Sequence, residues 1–366
     1  MTKAAVIVDC NEPVEIRDVE LAGPRAGEVR IAVRASGVCH SDLSVQNGTV
    51  PLPLPIVPRH ECAGEVIEVG EGVSRFEVGD HVVTQFHPQC GRCYFCTRGQ
   101  GYMCELGAMA ATGGLLDGTP RFAAGGVPVH QMAMLGTFAE ETVIPEISAV
   151  GVPAEVPAKI AALVSCGVLT GVGAATNTAS IRKGDTVAVL GCGGVGLNVI
   201  QGAKIAGASE LIAIDRFDSK LELARQFGAT QTVNASEGDP AVAVRGSTEG
   251  RGADVTFEVI GLDATIAQAL DMTRNGGETI LVGVPRRDVT LSLPAAVTFL
   301  YANKTLRGCW YGSSNVDRDV PKLLDLYKRS ELKLDELISR EIKLEEVNDA
   351  FAAMESGEIA RSVIIF

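Results

Sequence analysis

Four cysteines crowd into a fifteen-residue stretch of this 366-residue chain: Cys90, Cys93, Cys96 and Cys104. Cysteine thiolates are strong zinc ligands, and four of them at these short spacings can close a tetrahedral shell around one ion. A closed shell leaves no position for water or substrate, so the spacing predicts a structural metal that ties down a loop. The cysteine count alone also permits an iron–sulfur cluster, but non-redox zinc is favoured because nothing nearby indicates another electron carrier.

A glycine-rich turn follows the apolar, strand-like run Thr186–Leu190 and reads GCGGVG, which fits the pattern G-x-G-x-x-G. Apolar residues at helical spacing continue over Leu197–Ala206. In such a turn the first glycine allows a tight reversal, the second lets the backbone approach a pyrophosphate, and the third lets helix and strand pack closely. The N–H groups at the helix start would face the phosphates. Glycine turns also serve packing alone, so the surrounding sequence must decide.

An acidic residue supplies the expected partner of this turn. The next strand-like run, Leu211–Ile214, ends in Asp215, nineteen residues after Gly196. A carboxylate about 20 residues beyond the glycines hydrogen-bonds the ribose hydroxyls of a dinucleotide. Asp215 would also repel a 2′-phosphate, so the sequence favours NAD over NADP. Arg216 beside it weakens this preference, and a role as a helix N-terminal carboxylate is the alternative.

Two further cysteines and one histidine lie far apart in the sequence, each next to a turn: Cys39, His60 and Cys166. One histidine and two cysteines form a three-ligand set that leaves zinc an open fourth position for substrate. Buried cysteines and satisfied core histidines are commoner than ligands, so spacing alone leaves this grouping a hypothesis. The remaining cysteines have no partner pattern and are assigned to packing: Cys10, Cys62, Cys192 and Cys309.

Two kinds of scaffold must position these residues. Short β-rich runs in the first third indicate a barrel or sandwich: Ala4–Val8, Val14–Asp18, Glu28–Ala35, Gly64–Val69 and His81–Thr84. A glycine-rich loop region is predicted over Leu106–Gly136. Beyond residue 160, strands alternate with helices, which predicts an α/β doubly wound parallel sheet. Its predicted strands are Thr186–Leu190, Glu210–Ile214, Gln231–Val233, Asp254–Val259, Thr279–Val282 and Thr305–Cys309.

The predicted helices of this region are Leu197–Ala206, Ser219–Phe227, Pro240–Arg245 and Ala264–Arg274. The tail is mixed, with helices predicted at Val320–Arg329 and Glu345–Glu355 and a last strand at Ser362–Phe366. We therefore expect a nucleotide-binding domain inserted late in a β-rich domain that the C-terminus completes.

Composition narrows the classes of partner. The formal net charge is −13 and no basic block offsets it, which argues against binding to a nucleic-acid backbone. The N-terminus lacks the apolar region of a signal peptide. The most apolar window, Ile160–Ala175, is too short for a membrane span and is interpreted as core. These features predict a cytoplasmic protein with no membrane partner.

Taken together, the motifs resemble the zinc-dependent medium-chain alcohol dehydrogenases, in particular their liver-type or class III-like branch, from Ala4 to Phe366. The matching motifs are GVCHSD (Gly37–Asp42), HECAGEVIEVGEGV (His60–Val73), GDHV (Gly79–Val82), the four-cysteine lobe, GCGGVG and SGEIARSVI (Ser356–Ile364). The resemblance implies a GroES-like catalytic domain over residues 1–167 and 311–366, with a structural zinc lobe at 88–106. It implies a Rossmann NAD-binding domain over 168–310.

The resemblance also implies roles around a catalytic metal. Cys39, His60 and Cys166 would hold a catalytic zinc, which makes two zinc ions per chain. Glu61 would be the carboxylate that can approach this metal during ligand exchange. Asp42 would orient His60, as metal-bound imidazoles usually require.

Substrate and cofactor residues follow from the same resemblance. Ser41 would hydrogen-bond the substrate oxygen and start the exit of its proton through the nicotinamide ribose, and Phe86 would lie against the reacting carbon. Thr170 and Val195 would back the nicotinamide, and Lys220 would reach the adenosine ribose. The full cofactor set comprises His40, Thr170, Gly191, Gly193, Gly194, Val195, Gly196, Asp215, Lys220, Val282 and Arg361, the last on the pyrophosphate.

Three residues depart from the family pattern. Ser44 stands where many members carry the histidine that ends the proton relay, so the relay would end in water or in His40. His40 stands where an arginine often binds the pyrophosphate, and a histidine gives a weaker, pH-dependent contact. Arg59 replaces the glycine that usually precedes the His-Glu pair, and the sequence predicts no consequence.

The predicted function is the interconversion of a primary alcohol with an apolar or aromatic tail and its aldehyde, with hydride transfer to and from NAD. Thiol-conjugated formaldehyde is a disfavoured substrate, because Val50 and Ala108 stand where charged anchors are expected. The alternatives are a zinc-free reductase of C=C bonds or quinones and a non-catalytic dinucleotide-binding protein. A homodimer is predicted, with a tetramer as alternative, because Thr305–Trp310 would form an uncovered edge strand.

Overall fold

The computed structural model describes residues 1–356 and 361–366, so residues 357–360 of the SGEIARSVI motif lie outside the described part. The strands are β1 Thr2–Val6, β2 Glu15–Leu21, β3 Glu28–Gly37, β4 Ile56–Val57, β5 Cys62–Val69, β6 His81–Thr84, β7 Phe122–Ala124, β8 Val127–Gln131, β9 Glu141–Pro145, β10 Ala149–Gly151, β11 Thr186–Leu190, β12 Glu210–Asp215, β13 Gln231–Asn234, β14 Ala253–Glu258, β15 Thr273–Leu281, β16 Thr305–Gly308, β17 Arg340–Ile342 and β18 Ser362–Ile365.

The α-helices are α1 His40–Gln46, α2 Ala158–Val164, α3 Gly167–Gly173, α4 Gly194–Ala206, α5 Asp218–Gln226, α6 Pro240–Ser247, α7 Asp263–Met272, α8 Val316–Lys328 and α9 Val347–Glu355. Short 3₁₀ segments lie at Cys96–Arg98, Gly101–Met103, Glu105–Ala111, Met132–Met134, Glu146–Ser148, Tyr311–Ser313, Asp335–Leu337 and Leu344–Glu346. Turns of π-helix lie at Ala174–Thr178 and Ala296–Tyr301.

The chain divides into two compact units. Unit 1 comprises Met1–Cys166 and Asn315–Phe366, and unit 2 comprises Gly167–Ser314. Unit 2 contains a parallel sheet with helices between its strands, and unit 1 is rich in β-structure. The predicted fold class is therefore confirmed.

The six strands of unit 2 run in the order β13-β12-β11-β14-β15-β16, and all neighbouring pairs are parallel. The central strand β11 has the bounds that the sequence predicts, and Val187, Ala188 and Val189 on it are fully buried. The strand order reverses between β11 and β14, and open α/β sheets bind ligands outside the carboxyl ends of their strands at such a point. The glycine turn that follows β11 therefore lies where a dinucleotide site is expected.

Unit 1 contains two sheets. The smaller has the order β1-β2-β7-β8-β4, and the larger has the order β10-β6-β5-β3-β18-β17 with β9 also paired to β3. β3 pairs antiparallel with β5, and the C-terminal strand β18 pairs antiparallel with β3. The C-terminal strand thus belongs to the β-rich unit. Fully buried apolar side chains such as Ile31, Val66 and Phe138 belong to its core.

The prediction of loop structure over Leu106–Gly136 was wrong in part, because β7 and β8 form an antiparallel hairpin there. Gly125 and Gly126, both at positive φ, make its two-residue turn. A Gly-Gly pair is a hairpin signal. The flanking strands are only three and five residues long and one contains Pro128, so their alternation is too short to stand out.

No single helix in the described part of the chain is long and apolar enough to cross a membrane. The bent pair Ala158–Val164 and Gly167–Thr178 reaches that length and composition only when taken together. Ile160 and Ala174 on this pair are fully buried, which agrees with the interpretation of this window as core.

Candidate functional site

The four-cysteine lobe has the geometry of a metal site. The sulfur atoms of Cys90, Cys93, Cys96 and Cys104 all lie within 4.8 Å of one another. The Sγ atoms of Cys90 and Cys96 are 4.0 Å apart, and those of Cys93 and Cys104 are 3.9 Å apart. A tetrahedral zinc with Zn–S bonds of about 2.3 Å places its sulfurs roughly 3.8 Å apart. The donor set therefore fits one structural zinc ion.

Backbone N–H groups in the lobe already point at the sulfur atoms. The N–H of Cys90 donates to Cys104 Sγ at 3.4 Å, and the N–H of Cys93 donates to Cys90 Sγ at 3.3 Å. The backbone N–H of Cys96 is the main reason that the pKa of the Cys93 thiol is lowered to about 6. Such donors stabilise thiolates, the form that binds metal.

Cys39, His60 and Cys166 come together in unit 1 although 127 residue numbers separate the first from the last. Cys39 is the N-cap residue of α1, and Cys166 lies two residues beyond the end of α2. His60 Nε2 lies 3.2 Å from Cys166 Sγ, and the Cys39 and Cys166 thiols share a hydrogen bond. Nitrogen and sulfur ligands of a tetrahedral zinc lie roughly 3.6 Å apart, which is close to the observed separation of His60 Nε2 and Cys166 Sγ.

Electrostatics in this cluster favours metal-binding protonation states. Burial, assisted by Arg59, lowers the pKa of His60 to about 3, so the imidazole is neutral. The hydrogen bond from Cys166 holds the pKa of Cys39 well below its ordinary value, and the same bond raises the pKa of Cys166. This hydrogen bond favours the thiolate form of Cys39, and a metal ion bound by both sulfurs would displace the proton of Cys166.

In the part of the chain that the structure describes, Asp42 forms its hydrogen bonds with Cys39 and Arg59, whereas the sequence led us to expect His60 as its partner. Its Oδ2 accepts a hydrogen bond from the backbone N–H of Cys39 at 3.0 Å and another from Arg59 Nη1 at 2.9 Å. Its Oδ1 is buried and has no hydrogen-bond partner among residues 1–356 and 361–366. Burial raises the pKa of Asp42 to about 7, although Arg59 opposes this rise.

Glu61 is fully buried between two arginines. Its Oε1 accepts a hydrogen bond from Arg361 Nη2 at 2.5 Å, and Arg59 Nη2 forms an ion pair with its Oε2. Arg361 is itself 7% exposed. In this structure the guanidinium that the resemblance assigns to a pyrophosphate is thus paired with Glu61.

The expected substrate residues adjoin these ligands. Ser41 Oγ lies 3.5 Å from Cys39 Sγ. The Phe86 ring packs edge-on against the His60 ring, with centroids 5.1 Å apart and an interplanar angle of 75°. Ser41 and Phe86 therefore offer one polar and one aromatic contact beside the candidate metal ligands Cys39 and His60. His40, the first residue of α1, is exposed.

In unit 2 the three glycines that the motif G-x-G-x-x-G specifies, Gly191, Gly193 and Gly196, differ in backbone conformation and in the space around them. Gly191 has φ +102°, which favours glycine, and a Cβ at Gly196 would lie 1.8 Å from the carbonyl oxygen of Gly191. A Cβ at Gly193 would meet no atom within 4 Å, so this position borders open space. Tight packing at Gly196 and open space at Gly193 are what a bound pyrophosphate requires.

Asp215 ties the end of β12 to this turn. Its Oδ2 accepts the N–H of Cys192 at 2.9 Å, and its Oδ1 accepts the N–H groups of Arg216 at 2.8 Å and Phe217 at 3.2 Å. A carboxylate oxygen can accept more than one hydrogen bond, so ribose hydroxyls can still be accommodated. Lys220 Nζ lies 5.1 Å from the centroid of the Phe217 ring.

The remaining predicted cofactor residues flank the same turn. Gly171 on α3 has no room for a side chain, because a Cβ there would lie 2.5 Å from the carbonyl oxygen of Val195. Thr170, next to Gly171, is therefore close to the start of α4. Val282 follows the last residue of β15, and its N–H donates to the carbonyl oxygen of Glu258 at 2.8 Å.

Comparison with known proteins identifies the family of this chain. The chain is 40% identical over 368 residues to the NDMA-dependent alcohol dehydrogenase of Amycolatopsis methanolica, covering 100% of this chain and 98% of the relative. The alcohol dehydrogenase GroES-like domain matches residues 25–154, and the zinc-binding dehydrogenase domain matches residues 194–329. The chain belongs to the zinc-dependent medium-chain alcohol dehydrogenase family.

Solved structures agree with this membership. The benzyl alcohol dehydrogenase from Acinetobacter calcoaceticus has a TM-score of 0.94 at 30% identity, covering 100% of this chain and 99% of that one. A putative zinc-binding dehydrogenase from Sinorhizobium meliloti 1021, bound to NADP, has a TM-score of 0.83 at 26% identity, with 100% and 99% coverage.

One residue beside the glycine turn of this dehydrogenase, Glu258, is not predicted from the sequence as part of the site. Glu258 ends β14 beside the glycine turn, and its Oε1 accepts hydrogen bonds from the N–H groups of Ile260 and Gly261 and from Thr265 Oγ1. Its Oε2 is buried, and no described residue forms a hydrogen bond with it. An acidic residue at the end of a predicted buried strand was the available signal. Glu258 fixes the loop that follows β14.

Proposed function

We propose that the protein oxidises primary alcohols with an apolar or aromatic tail to aldehydes, reversibly, with NAD as the hydride acceptor. The observation that carries the proposal is the convergence of Cys39, His60 and Cys166 with Ser41 and Phe86 beside them. A three-ligand site leaves one position for substrate, whereas the four-cysteine lobe leaves none. We assign the first site to chemistry and the second to structure, with two zinc ions per chain.

A zinc ion bound there would supply Lewis-acid stabilisation of negative charge on the alcohol oxygen. The protein's own groups then account for the remaining requirements. Ser41 Oγ accepts the hydroxyl proton of the alcohol and passes it outward, ending at water or His40 because Ser44 is not a histidine. The Phe86 ring excludes water beside the reacting carbon. The carbon loses a hydride to NAD, so one alcohol and one NAD⁺ give one aldehyde, one NADH and one proton.

Asp215 is the basis for proposing NAD over NADP. Replacing Asp215 by serine is expected to lower kcat/KM for NAD by about 10-fold or more, because a hydrogen bond to a charged group contributes roughly 1.5–3 kcal/mol. The same change should raise kcat/KM for NADP, because the repulsion of the 2′-phosphate is lost. Asp218→Ser serves as control, since Asp218 is an exposed carboxylate at the start of the next helix. An unchanged NAD-to-NADP ratio in Asp215→Ser would contradict this role.

The proposed function is tested with a panel of alcohols under zinc-replete conditions. Benzyl alcohol, a long-chain primary alcohol and a small polyol are each supplied with NAD, NADP or NDMA, the last because a relative is named NDMA-dependent. We expect NADH formation with the aromatic and long-chain alcohols. Activity confined to the polyol would refute the substrate class, and reduction of an activated C=C bond by a zinc-free preparation would support the rival reductase.

A homodimer in the cytoplasm remains our proposal for the state of the enzyme. It is supported by β16, which ends the order of the unit 2 sheet and pairs there with β15. Exposed apolar side chains occur in the segment that precedes β16 in the sequence, among them Val297, Leu300 and Tyr301.

A further inference from the structure

We propose that Arg59 is a positioning residue for the candidate catalytic metal. Its guanidinium holds Asp42 and Glu61, and thereby joins the helix start that carries Cys39 to the segment that carries His60. It also helps to keep Glu61 paired with arginine rather than with the metal. This inference rests on the proposed function, because it concerns an ion bound by Cys39, His60 and Cys166.

Burial and backbone conformation set Arg59 apart. Its side chain is fully buried and is among the largest fully buried side chains of the described residues. Its φ is +87°, in the left-handed region that favours glycine. A non-glycine residue there is strained, and such strain persists only where surrounding interactions enforce it. The residue directly before a metal ligand is thus held in an unfavourable conformation by its side-chain contacts.

Those contacts connect two separate parts of unit 1. Arg59 Nη1 donates to Asp42 Oδ2 at 2.9 Å, and the same oxygen accepts the backbone N–H of Cys39 at 3.0 Å. Arg59 Nε donates to the carbonyl oxygen of Glu61 at 3.4 Å. A hydrogen-bonded path therefore runs from the His60 segment through one guanidinium and one carboxylate to the backbone of Cys39.

The second contact of Arg59 restrains Glu61. Arg59 Nη2 and Arg361 Nη2 both pair with Glu61 Oε2, and Arg361 also reaches Oε1. Gly37 leaves the necessary space, since a Cβ there would lie 2.5 Å from Glu61 Oε1 and 3.2 Å from Arg59 Nη2. A carboxylate held by two cations is not available as a competing metal ligand.

Charge balance points the same way. The buried cluster holds two carboxylates, from Asp42 and Glu61, and two cysteines that become thiolates on binding a metal. With a divalent ion bound, that ion and the guanidiniums of Arg59 and Arg361 would carry four positive charges, which match these four groups in their ionised forms. Removal of Arg59 leaves one buried negative charge uncompensated, and Glu61 is then the group most able to turn towards the metal.

The test measures zinc release to a chromogenic chelator from the purified, zinc-loaded enzyme. Changes in groups that support metal ligands typically alter metal binding about 10–100-fold. We expect Arg59→Met to release the more labile zinc about tenfold faster or more, while release from the four-cysteine lobe is unchanged. Arg59→Lys should fall between Arg59→Met and wild type. The zinc that is released more slowly, from the four-cysteine lobe, is an internal control for folding in every variant.

Arg121→Met is the matched control. Arg121 is also a buried arginine of unit 1 between two carboxylates, donating to Glu28 Oε2 at 2.9 Å and to Asp117 Oδ2 at 2.8 Å. Neither of these bonds involves Cys39, His60 or Cys166. The loss of Arg121 should therefore change stability without changing the release of the labile zinc. Equal acceleration in both variants would show a general loss of packing and would overturn the proposal.

A double-mutant cycle tests whether Glu61 carries the effect. In a Glu61→Gln background, Arg59→Met should accelerate zinc release by less than half of its effect in wild type on a logarithmic scale, because the competing carboxylate is already gone. Full additivity would refute the part of the proposal that concerns Glu61.

Two results separate this inference from the proposed function. A wild-type enzyme that loads only one zinc per chain would refute the catalytic metal site itself. Two zincs in wild type with release from Arg59→Met within twofold of wild type would overturn the inference and leave the function standing. If Arg59→Met does not fold, Arg59→Gly replaces it, since glycine adopts φ +87° without strain, and the same two results apply.

Discussion

Replacement of Cys39 by alanine is expected to lower kcat/KM for alcohol oxidation by about a thousandfold or more and to leave one zinc per chain. A metal ion acting on the substrate oxygen contributes several kcal/mol, and roughly 4 kcal/mol corresponds to three orders of magnitude in rate. Two remaining ligands, His60 and Cys166, would not hold the ion in an open site. Initial rates of NADH formation and elemental analysis of zinc on the same preparation provide the measurement.

Cys62→Ala is the control for this experiment. Cys62 is a fully buried thiol two residues from His60, and burial raises its pKa to about 12, so it stays protonated. Its loss should leave two zincs per chain and turnover within a few-fold of wild type. Turnover in Cys39→Ala within tenfold of wild type would contradict a catalytic zinc at this position.

Replacement of Cys104 by alanine is expected to destabilise unit 1 strongly. Cys104 is the one buried member of the four-cysteine cluster, and a three-ligand remnant would lose the closed shell. Because structural zinc contributes its binding energy to folding, the loss of even a few kcal/mol should lower the melting temperature by about 10 °C. Differential scanning calorimetry of wild type and variant measures the shift.

Cys10→Ala provides the comparison, because Cys10 is an exposed cysteine outside either cluster. This variant should have the same melting temperature as wild type and should retain both zinc ions. Below its melting transition, Cys104→Ala should still oxidise alcohol at a rate within about tenfold of wild type, because a closed shell performs no chemistry. An unchanged melting temperature together with full zinc content in Cys104→Ala would contradict a structural metal in the lobe.

Local patterns explain which features the sequence predicts well. The turn at Gly191–Gly196 joins a continuous apolar strand to an apolar helix, so its identity depends on neighbours within about twenty residues. The four-cysteine lobe is equally local. Cys39, His60 and Cys166 are different: their spacing alone does not group them, and only the family resemblance predicts that they share a site.

Arg59 shows what local patterns cannot reveal. Its partners Asp42 and Glu61 could be inferred from the sequence as members of the site, but the pairing depends on the positive φ of Arg59 and on the pairing of β3 with β5. A charged side chain next to a histidine is usually expected at a surface. The tertiary structure instead buries it and pairs it with Asp42.

The most direct test of a catalytic zinc at Cys39, His60 and Cys166 is to follow zinc content and benzyl alcohol oxidation together while the metal is removed by a chelator and then restored. We predict that turnover falls in proportion to loss of the first zinc, that the second zinc remains bound, and that added zinc restores turnover. Full turnover after the first zinc has left would contradict the account.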